Sequence, residues 1–359
     1  MTRRGIHIAP YDTDSAKLTT SYRALKTEDV LPHLSANISP RALRVLDVGA
    51  GSGRDAAWMA EQGATVTAVE PARGLREAAA RDFTHLGIRW LDDRLPDLKQ
   101  VCASGEKYDL ILLSAVWMHF PPEMRAEAFD TLARLLAPQG KILLTLRHGP
   151  TPAGRLMFPV SVEELQKLAE PHFMDAELLG DTSSDKLGRG DVWWQEALVS
   201  SIDDAHGTLA AFCDATVRAR KSGPHKLAVG RCLSNLAQAT AQGTAPFTAI
   251  EDNGKVKVDY DHLVDEWMSL FPLATSRYTR SQAARDIARF PLAHMTDPRT
   301  QKPLLKLDSG RLLTPQPLWK LLQEHGDRVN RGLMVAMSAW SARNPHQRGW
   351  QQAALKADN

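Results

Sequence analysis

The stretch Val45-Leu-Asp47-Val-Gly49-Ala-Gly51-Ser-Gly53-Arg-Asp55 constrains the fold more than any other part of the chain. An apolar run ends in three alternating glycines and passes at once into a helical pattern that opens at Asp55. Glycine tolerates positive φ and lets another group approach the main chain, while a new helix presents unpaired N–H groups at its N-terminus. A strand, turn and helix of this kind belong at the carboxyl edge of a doubly wound α/β sheet, where cofactors bind.

The spacing of the glycines separates two kinds of cofactor. A dinucleotide fingerprint places its third glycine three residues after the second, whereas Gly49, Gly51 and Gly53 alternate. Asp47, two residues before the first glycine, would repel a pyrophosphate but can help to anchor an ammonium group. The pattern Asp-x-Gly-x-Gly-x-Gly resembles motif I of class I methyltransferases that use S-adenosylmethionine (SAM). The resemblance implies an α/β fold with a Rossmann-like seven-stranded sheet over residues 1–203, SAM as cofactor, and a loop in which Asp47, Gly49, Gly51 and Gly53 hold it.

Later segments fit the same frame. Residues 11–34 read as amphipathic helices, and in many such enzymes an N-terminal helical segment lies over the cofactor. Tyr11 and Tyr22 are therefore lid candidates, with Tyr22 taken as a cofactor contact. Residues 55–62 read as a helix and Thr65 to Val69 as the second strand, which ends at Glu70. One carboxylate at that tip can accept hydrogen bonds from both hydroxyls of a ribose. A helix over 75–82 and a strand over 88–91 lead to Asp92-Asp93-Arg-Leu95-Pro96. The family resemblance implies an aspartate here that contacts the adenine amino group; of Asp92 and Asp93 we take Asp93, the choice being open in the sequence.

Tyr108 to Leu113 is a continuous apolar run, as in a central strand buried on both faces. It runs into Ser114-Ala-Val-Trp117-Met-His119, the expected edge of the active site. This is neither Asn-Pro-Pro-Tyr nor Asp-Pro-Pro-Tyr, which grip planar amino groups, nor a Pro-Cys nucleophile. It resembles instead the small-molecule methyltransferases and the tRNA wobble-uridine carboxymethyl type. A helix over 123–137, a break at Pro138-Gln-Gly140 and a strand over 141–146 follow. Ser114 is assigned to the cofactor, Trp117, Arg147 and Arg155 to the substrate, and His119 and His148 to catalysis. Arginine at a substrate site favours an anionic group, because its guanidinium is a planar fork of donors. Ser161 with Glu164 forms a capping box for a helix over 160–169. Residues 173–179 and 192–200 then read as an antiparallel hairpin with Trp193 and Trp194 on opposite sides.

Composition matters where the chain changes character. Residues 1–205 hold 23 Lys and Arg against 29 Asp and Glu, a net −6, while residues 206–359 hold 21 against 13, a net +8. The second half, 206–359, reads as a smaller, mainly helical α+β domain of winged-helix type. Helices are expected over 209–219, 226–241 and 259–271, with a hairpin turning at Asn253-Gly254. Its spaced motifs resemble a sulfur-binding-type DNA-binding module that precedes HNH nuclease domains, without any HNH motif after it. Arg218, Arg220, Lys221, Arg277, Tyr278 and Arg280 are the expected contacts to DNA, including phosphorothioate DNA, or to RNA; such contacts give affinity rather than sequence choice.

Cys102, Cys213 and Cys232 form no CxxC pair, so no metal site is expected and the thiols read as buried and reduced. No apolar run has membrane-spanning length, and a cytoplasmic protein is expected. Three functions are compatible with this reading. They are a methyltransferase delivered to nucleic acid by its basic half, a small-molecule methyltransferase whose second domain shapes the pocket or a dimer, and a SAM-sensing nucleic-acid-binding regulator without turnover.

Overall fold

The computed structural model describes residues 8–152, 154–202, 208–213, 215–216, 224–270, 279–289, 292–297 and 301–344. The chain divides into two compact units, one of residues 1–169 with 174–201 and the other of 170–173 with 202–359.

The first unit is built on seven strands: β1 (Arg44–Val48), β2 (Thr65–Val69), β3 (Arg89–Leu91), β4 (Tyr108–Leu113), β5 (Leu136–His148), β6 (Met174–Ser184) and β7 (Trp193–Ser201). They lie in the order β3-β2-β1-β4-β5-β7-β6. The first five are parallel, and β7 runs antiparallel to both β5 and β6. This is the mixed α/β, Rossmann-like sheet expected from the sequence. Chain order reverses between β1 and β4, so a crevice opens at the carboxyl ends of those strands.

Strand alternation sorts the apolar side chains onto two faces. Leu46, Val48, Ile111, Leu113, Ile142 and Leu144 share one core with Phe129 and Leu132 of α8 (Pro122–Leu135) and Leu165 of α9 (Val162–Ala169). Val45, Leu110, Leu112 and Leu143 share the other with Ala56 and Met59 of α5 (Arg54–Glu61) and with Leu31 and Leu34. Both faces being covered explains the nearly unbroken apolar runs of the central strands. The remaining crossovers are α6 (Arg73–Asp82) and the short α7 (Lys99–Ser104), the latter not anticipated from sequence.

The N-terminal segment forms four short helices, α1 (Ala9–Thr13), α2 (Ser15–Arg23), α3 (Thr27–Val30) and α4 (Pro32–Asn37). Arg23 of α2 donates two hydrogen bonds to the Ser52 carbonyl, at 3.0 and 2.9 Å, and so clamps the glycine-rich turn. Buried Glu196 of β7 accepts from the amides of His33 and Leu34 at the start of α4, which ties this segment to the sheet. The break expected at 138–140 is absorbed within β5 as an irregularity, with Gln139 at a φ of 66°. At the start of α9 the Glu164 amide donates to Ser161 Oγ at 3.2 Å, as the capping reading required. The Glu164 carboxylate instead pairs with buried Arg125, whose Nε donates to the Phe120 carbonyl and steadies the segment after β4. Trp193 faces outward and Trp194 packs against the core. Cys102 is exposed, contrary to the buried thiol expected, because it sits on the outer side of α7.

The second unit has its own core. Here α11 (Pro224–Ala241) packs along α14 (Gln316–Arg343), with α10 (Thr208–Cys213), α12 (Tyr260–Leu270) and α13 (Arg280–Arg289) completing the helical part. Where α14 approaches α11, a Cβ on Gly326 would lie 2.4 Å from the Gln238 side chain, and Ser234 Oγ donates to the Gly326 carbonyl. The adjacent His325 leaves helical geometry, so the kink of α14 falls at this close approach. The hairpin read from Asn253-Gly254 is present as β8 (Ile250–Asp252) and β9 (Lys255–Asp259), with both turn residues at positive φ. A second hairpin, β10 (Lys306–Asp308) and β11 (Arg311–Pro315), joins it, giving a four-stranded antiparallel sheet rather than a two-stranded wing.

Candidate functional site

A cavity of about 750 Å³ opens at the carboxyl ends of β1, β2, β4 and β5. Its size is in the range of small-molecule and cofactor sites. Gly49, Gly51 and Gly53 all take positive φ, at 76°, 55° and 79°. Gly49 and Gly51 line the cavity; Gly53 lies behind them, where a Cβ would come within 2.8 Å of Trp90 and 3.0 Å of Ala79. Its role in the turn is thus close packing beneath the loop. The Tyr22 ring lies over Gly51, 3.9 Å from the position a Cβ would occupy, and both residues face the cavity.

Two carboxylates mark this end. Asp47, at the end of β1, is 1% exposed, and neither of its oxygens meets the geometry of a hydrogen bond, although the Ala56 amide lies near enough to lower its pKa. Burial, reinforced by the nearby Asp55 carboxylate, pushes its pKa well above the usual range. Isolated buried carboxylates are costly unless a cation or donors meet them. Arg54 lies near but is committed to Asp55, with hydrogen bonds of 2.8 and 2.7 Å. Glu70, at the tip of β2, accepts from the Gly51 amide at 2.8 Å and the Ala72 amide at 2.7 Å. Burial raises its pKa to about 7 against the opposing pull of those amides. Two of the roughly four lone-pair positions of an ionised carboxylate remain, so Glu70 can still accept from hydroxyls.

Asp93 lines the cavity but is differently placed from the expectation. Its oxygens accept from the amides of Arg94, Lys99, Gln100 and Val101, at 2.7 to 3.1 Å, so it caps α7. With its acceptor positions filled, its carboxylate is not available as an adenine contact. Asp92 is mostly exposed and pairs with Arg76 at 3.1 Å.

The other end of the cavity is formed after β4 and β5. Ser114 lines it, and the next residue, Ala115, bends the chain at a φ of 58° while its amide donates to Thr145 Oγ1 at 2.7 Å. A non-glycine residue in that region is strained and is typical of functional turns. The turn Trp117–His119 then places His119 in the cavity. His119 Nδ1 is 3.2 Å from the Leu156 carbonyl, which can only accept, so the proton resides on Nδ1 and Nε2 is the acceptor. Tyr11 O–H accordingly donates to Nε2 at 2.9 Å. Burial lowers the His119 pKa, with Arg155 and Arg147 acting in the same sense, and pushes that of Tyr11 up to about 12. Both groups are neutral near pH 7.

Arg147 and Arg155 also face this end, Arg147 being 5% exposed. Arg147 donates to the carbonyls of Gly149 and Pro150, while its Nε is buried without a partner. Arg155 lies over the Tyr11 ring at 4.8 Å. Two assignments do not reach the cavity. His148 follows Arg147 on the same strand and must point to the opposite face; its ring stacks on Trp193 at 3.7 Å. Trp117 is 0% exposed and packs beside Phe120 in the core, because the turn that presents His119 directs Trp117 inward.

Several lining residues were missed. Asp185 and Arg189, from the β6–β7 loop, form a two-point ion pair of 2.9 and 2.6 Å, and Trp194 Nε1 donates to the same carboxylate at 3.0 Å. Burial works to raise the Asp185 pKa, but these partners outweigh it and hold it at about 2. The only sequence signal was the four-residue spacing of Asp185 and Arg189 in a polar loop. Of the nominated nucleic-acid contacts, Arg218, Arg220, Lys221, Arg277 and Tyr278 lie outside the described residues. Arg280 opens α13 and is paired with Asp265 at 2.7 Å and Asp261 at 3.1 Å, so its charge is already offset locally.

Among known proteins, residues 20–178 match a family model described as a methyltransferase domain. A ubiquinone biosynthesis O-methyltransferase of Xanthomonas axonopodis is 30% identical over 139 residues, 38% of this chain and 56% of that protein. A protein-L-isoaspartate O-methyltransferase of Gloeobacter violaceus is 36% identical over 109 residues, 30% of this chain and 51% of that one. The chain spans about half the length of these curated relatives. A solved 1,6-didemethyltoxoflavin-N1-methyltransferase of Burkholderia thailandensis, with S-adenosylhomocysteine bound, is 19% identical with a TM-score of 0.41, over 56% of this chain and 92% of that one. No helix among the described residues is long and apolar enough to cross a membrane. Residues 20–178 are thus similar to a methyltransferase domain.

Proposed function

We propose that this protein is a SAM-dependent methyltransferase whose acceptor is a small molecule bound where β4 and β5 end. The observation that carries the reading is Asp47, a fully buried carboxylate without a hydrogen bond at the floor of a cofactor-sized cavity. Such a group fits the ammonium of a methionine moiety, and Glu70 with its remaining lone pairs fits a ribose diol. Tyr22 and Ser114 complete the cofactor's surroundings. Bound SAM supplies a methyl group on a sulfonium, which leaves without help from an acid.

The chain's own residues then have two tasks. One is to hold the acceptor in line and away from water, which the Tyr11 helix, Met118, Met157 and Arg155 do by enclosing that end. The other is to take a proton where the acceptor atom carries one. His119 suits this, being neutral, with Nδ1–H fixed by Leu156 and Nε2 open to an acceptor proton once the Tyr11 O–H that it accepts from is displaced.

Delivery to DNA or RNA by residues 206–359 is a second reading, favoured by their net +8 charge. Incubation of the protein and methyl-labelled SAM with an extract of its source cells tests both. Protein-dependent label in the small-molecule filtrate supports the first reading, and label in nucleic acid together with salt-sensitive gel shifts supports the second. SAM binding without label in any fraction would instead fit the regulator without turnover. Unchanged SAM affinity in Asp47→Ala and Glu70→Ala proteins would remove the basis of the cofactor assignment.

A further inference from the structure

The acceptor end of the cavity has more cationic than anionic side chains, and this bears on what enters it. Arg147 has an unpartnered, fully buried Nε, although its two Nη atoms are bonded to carbonyls. The Arg155 guanidinium makes no hydrogen bond or ion pair among the described residues and lies over the Tyr11 ring. The acid on this side, Asp185, is saturated by Arg189, by Trp194 and by the amides of Leu187 and Arg189. Arg147 and Arg155 therefore lack a carboxylate of their own. Burial lowers the Arg147 pKa, and the like charges of Arg189 and Arg155 act in the same sense, against the opposing pull of the Asp185 carboxylate. Met118, Phe120, Met157 and Trp194 supply the apolar part of the lining.

We propose that the acceptor is a small organic anion, its carboxylate or phosphate taken by Arg147 and Arg155 and its apolar body packed against Met118, Met157 and Trp194. This rests on the methyltransferase reading and narrows it to one substrate class. A neutral acceptor of equal shape would leave both guanidinium groups without a counter-charge in a partly dry site, whereas an oxyanion meets a planar fork of donors. Tyr11 and His119 are neutral and raise no objection to a negative ligand.

The test uses the full chain, methyl-labelled SAM and the small-molecule filtrate of a source-cell extract, divided on an anion-exchange resin. Acceptor activity should bind the resin and return in the salt eluate. Treatment of that eluate with phosphatase distinguishes a phosphate monoester, whose activity is lost, from a carboxylate, whose activity survives. Arg155→Ala should raise the KM for the eluate by about tenfold or more, with Arg155→Lys between the two and SAM affinity, measured by calorimetry, unchanged in both. Acceptor activity in the flow-through, or an unchanged KM in Arg155→Ala, overturns the anion proposal while leaving methyl transfer intact. Failure of the wild-type protein to bind SAM would instead remove the reading beneath it.

Discussion

The two ends of the cavity are made of different material. The end near β1 and β2 consists of backbone turns and buried carboxylates, of which Asp47 and Glu70 are not filled by partners, and its geometry follows from eleven consecutive residues and one strand tip. The end near β4 and β5 consists of side chains gathered from the first helix, the turn after β4, the segment after β5 and the β6–β7 loop, and its charges are mainly cationic, with the Asp185 carboxylate committed to Arg189. The first is a general solution for one cofactor. The second is specific, and its polarity is opposite. A cofactor with an ammonium and an acceptor with an anionic group would thereby be kept each at its own end.

The strongest way to break this contrast is at His119. If the acceptor loses a proton in the transition state, His119→Gln should lower kcat by about 10² to 10⁴ while SAM affinity stays as in the wild type. Equal loss of SAM binding would show that the two ends are not separable. The next largest effect concerns the cofactor end in the free protein. The Glu70 pKa is raised to about 7 from 4.5, so between those values the folded state holds more protons than the unfolded one. Stability is then greatest below about pH 4.5, as far as this group is concerned, and falls as pH rises to about 7, by on the order of 3 kcal/mol. Asp47, shifted in the same direction, adds to that slope. The partly buried histidines His119 and His148, whose pKa values are lowered, act in the opposite sense over part of this window. Thermal unfolding is therefore compared between wild type and Glu70→Gln: the variant should lose less stability from pH 4.5 to 7, and identical pH slopes would contradict the burial of Glu70.

Asp47→Asn comes third. A hydrogen bond to a charged partner contributes about 1.5 to 3 kcal/mol, so SAM should bind roughly 10- to 100-fold more weakly, while the free protein above neutral pH becomes more stable through loss of an unpaired buried charge. Opposite signs for affinity and stability are the signature; a variant weaker in both would make Asp47 an ordinary structural acid.

The same contrast explains what could be read from the sequence. The glycine turn and the strands around it were legible because their chemistry is local, and the positive φ of the turn requires glycine at fixed spacing. The paired strands β6 and β7 and the Asn253-Gly254 hairpin were legible for the same reason. Asp93 was misread because an aspartate that caps a short helix and one that meets a ligand look alike in sequence, and α7 has no strong pattern of its own. His148 and Trp117 were misread because sequence proximity to the site ignores the direction of the side chain, which strand alternation and a tight turn fix oppositely for neighbours. The Asp185–Arg189 pair and the Leu156 carbonyl gave no signal, since their places depend on loops that meet only in the fold.

The smallest expected effect is at Tyr11, and it sharpens the boundary between the two ends. Tyr11 lies on the first helix, donates to His119 Nε2, and packs edge-on against the same ring with Arg155 over its face. In Tyr11→Phe the ring contacts persist and only the O–H is lost, so Arg155 keeps its aromatic support. An acceptor hydroxyl no longer has to displace the Tyr11 donor from Nε2, and loss of that donor, which favours the neutral ring, lets the His119 pKa rise. We expect kcat/KM to change by less than about tenfold, the range of one neutral hydrogen bond, with its acid limb moved to higher pH. A fall in kcat as large as that of His119→Gln would instead place the Tyr11 hydroxyl on the acceptor itself, and the first helix would then belong to the chemistry as well as to the enclosure.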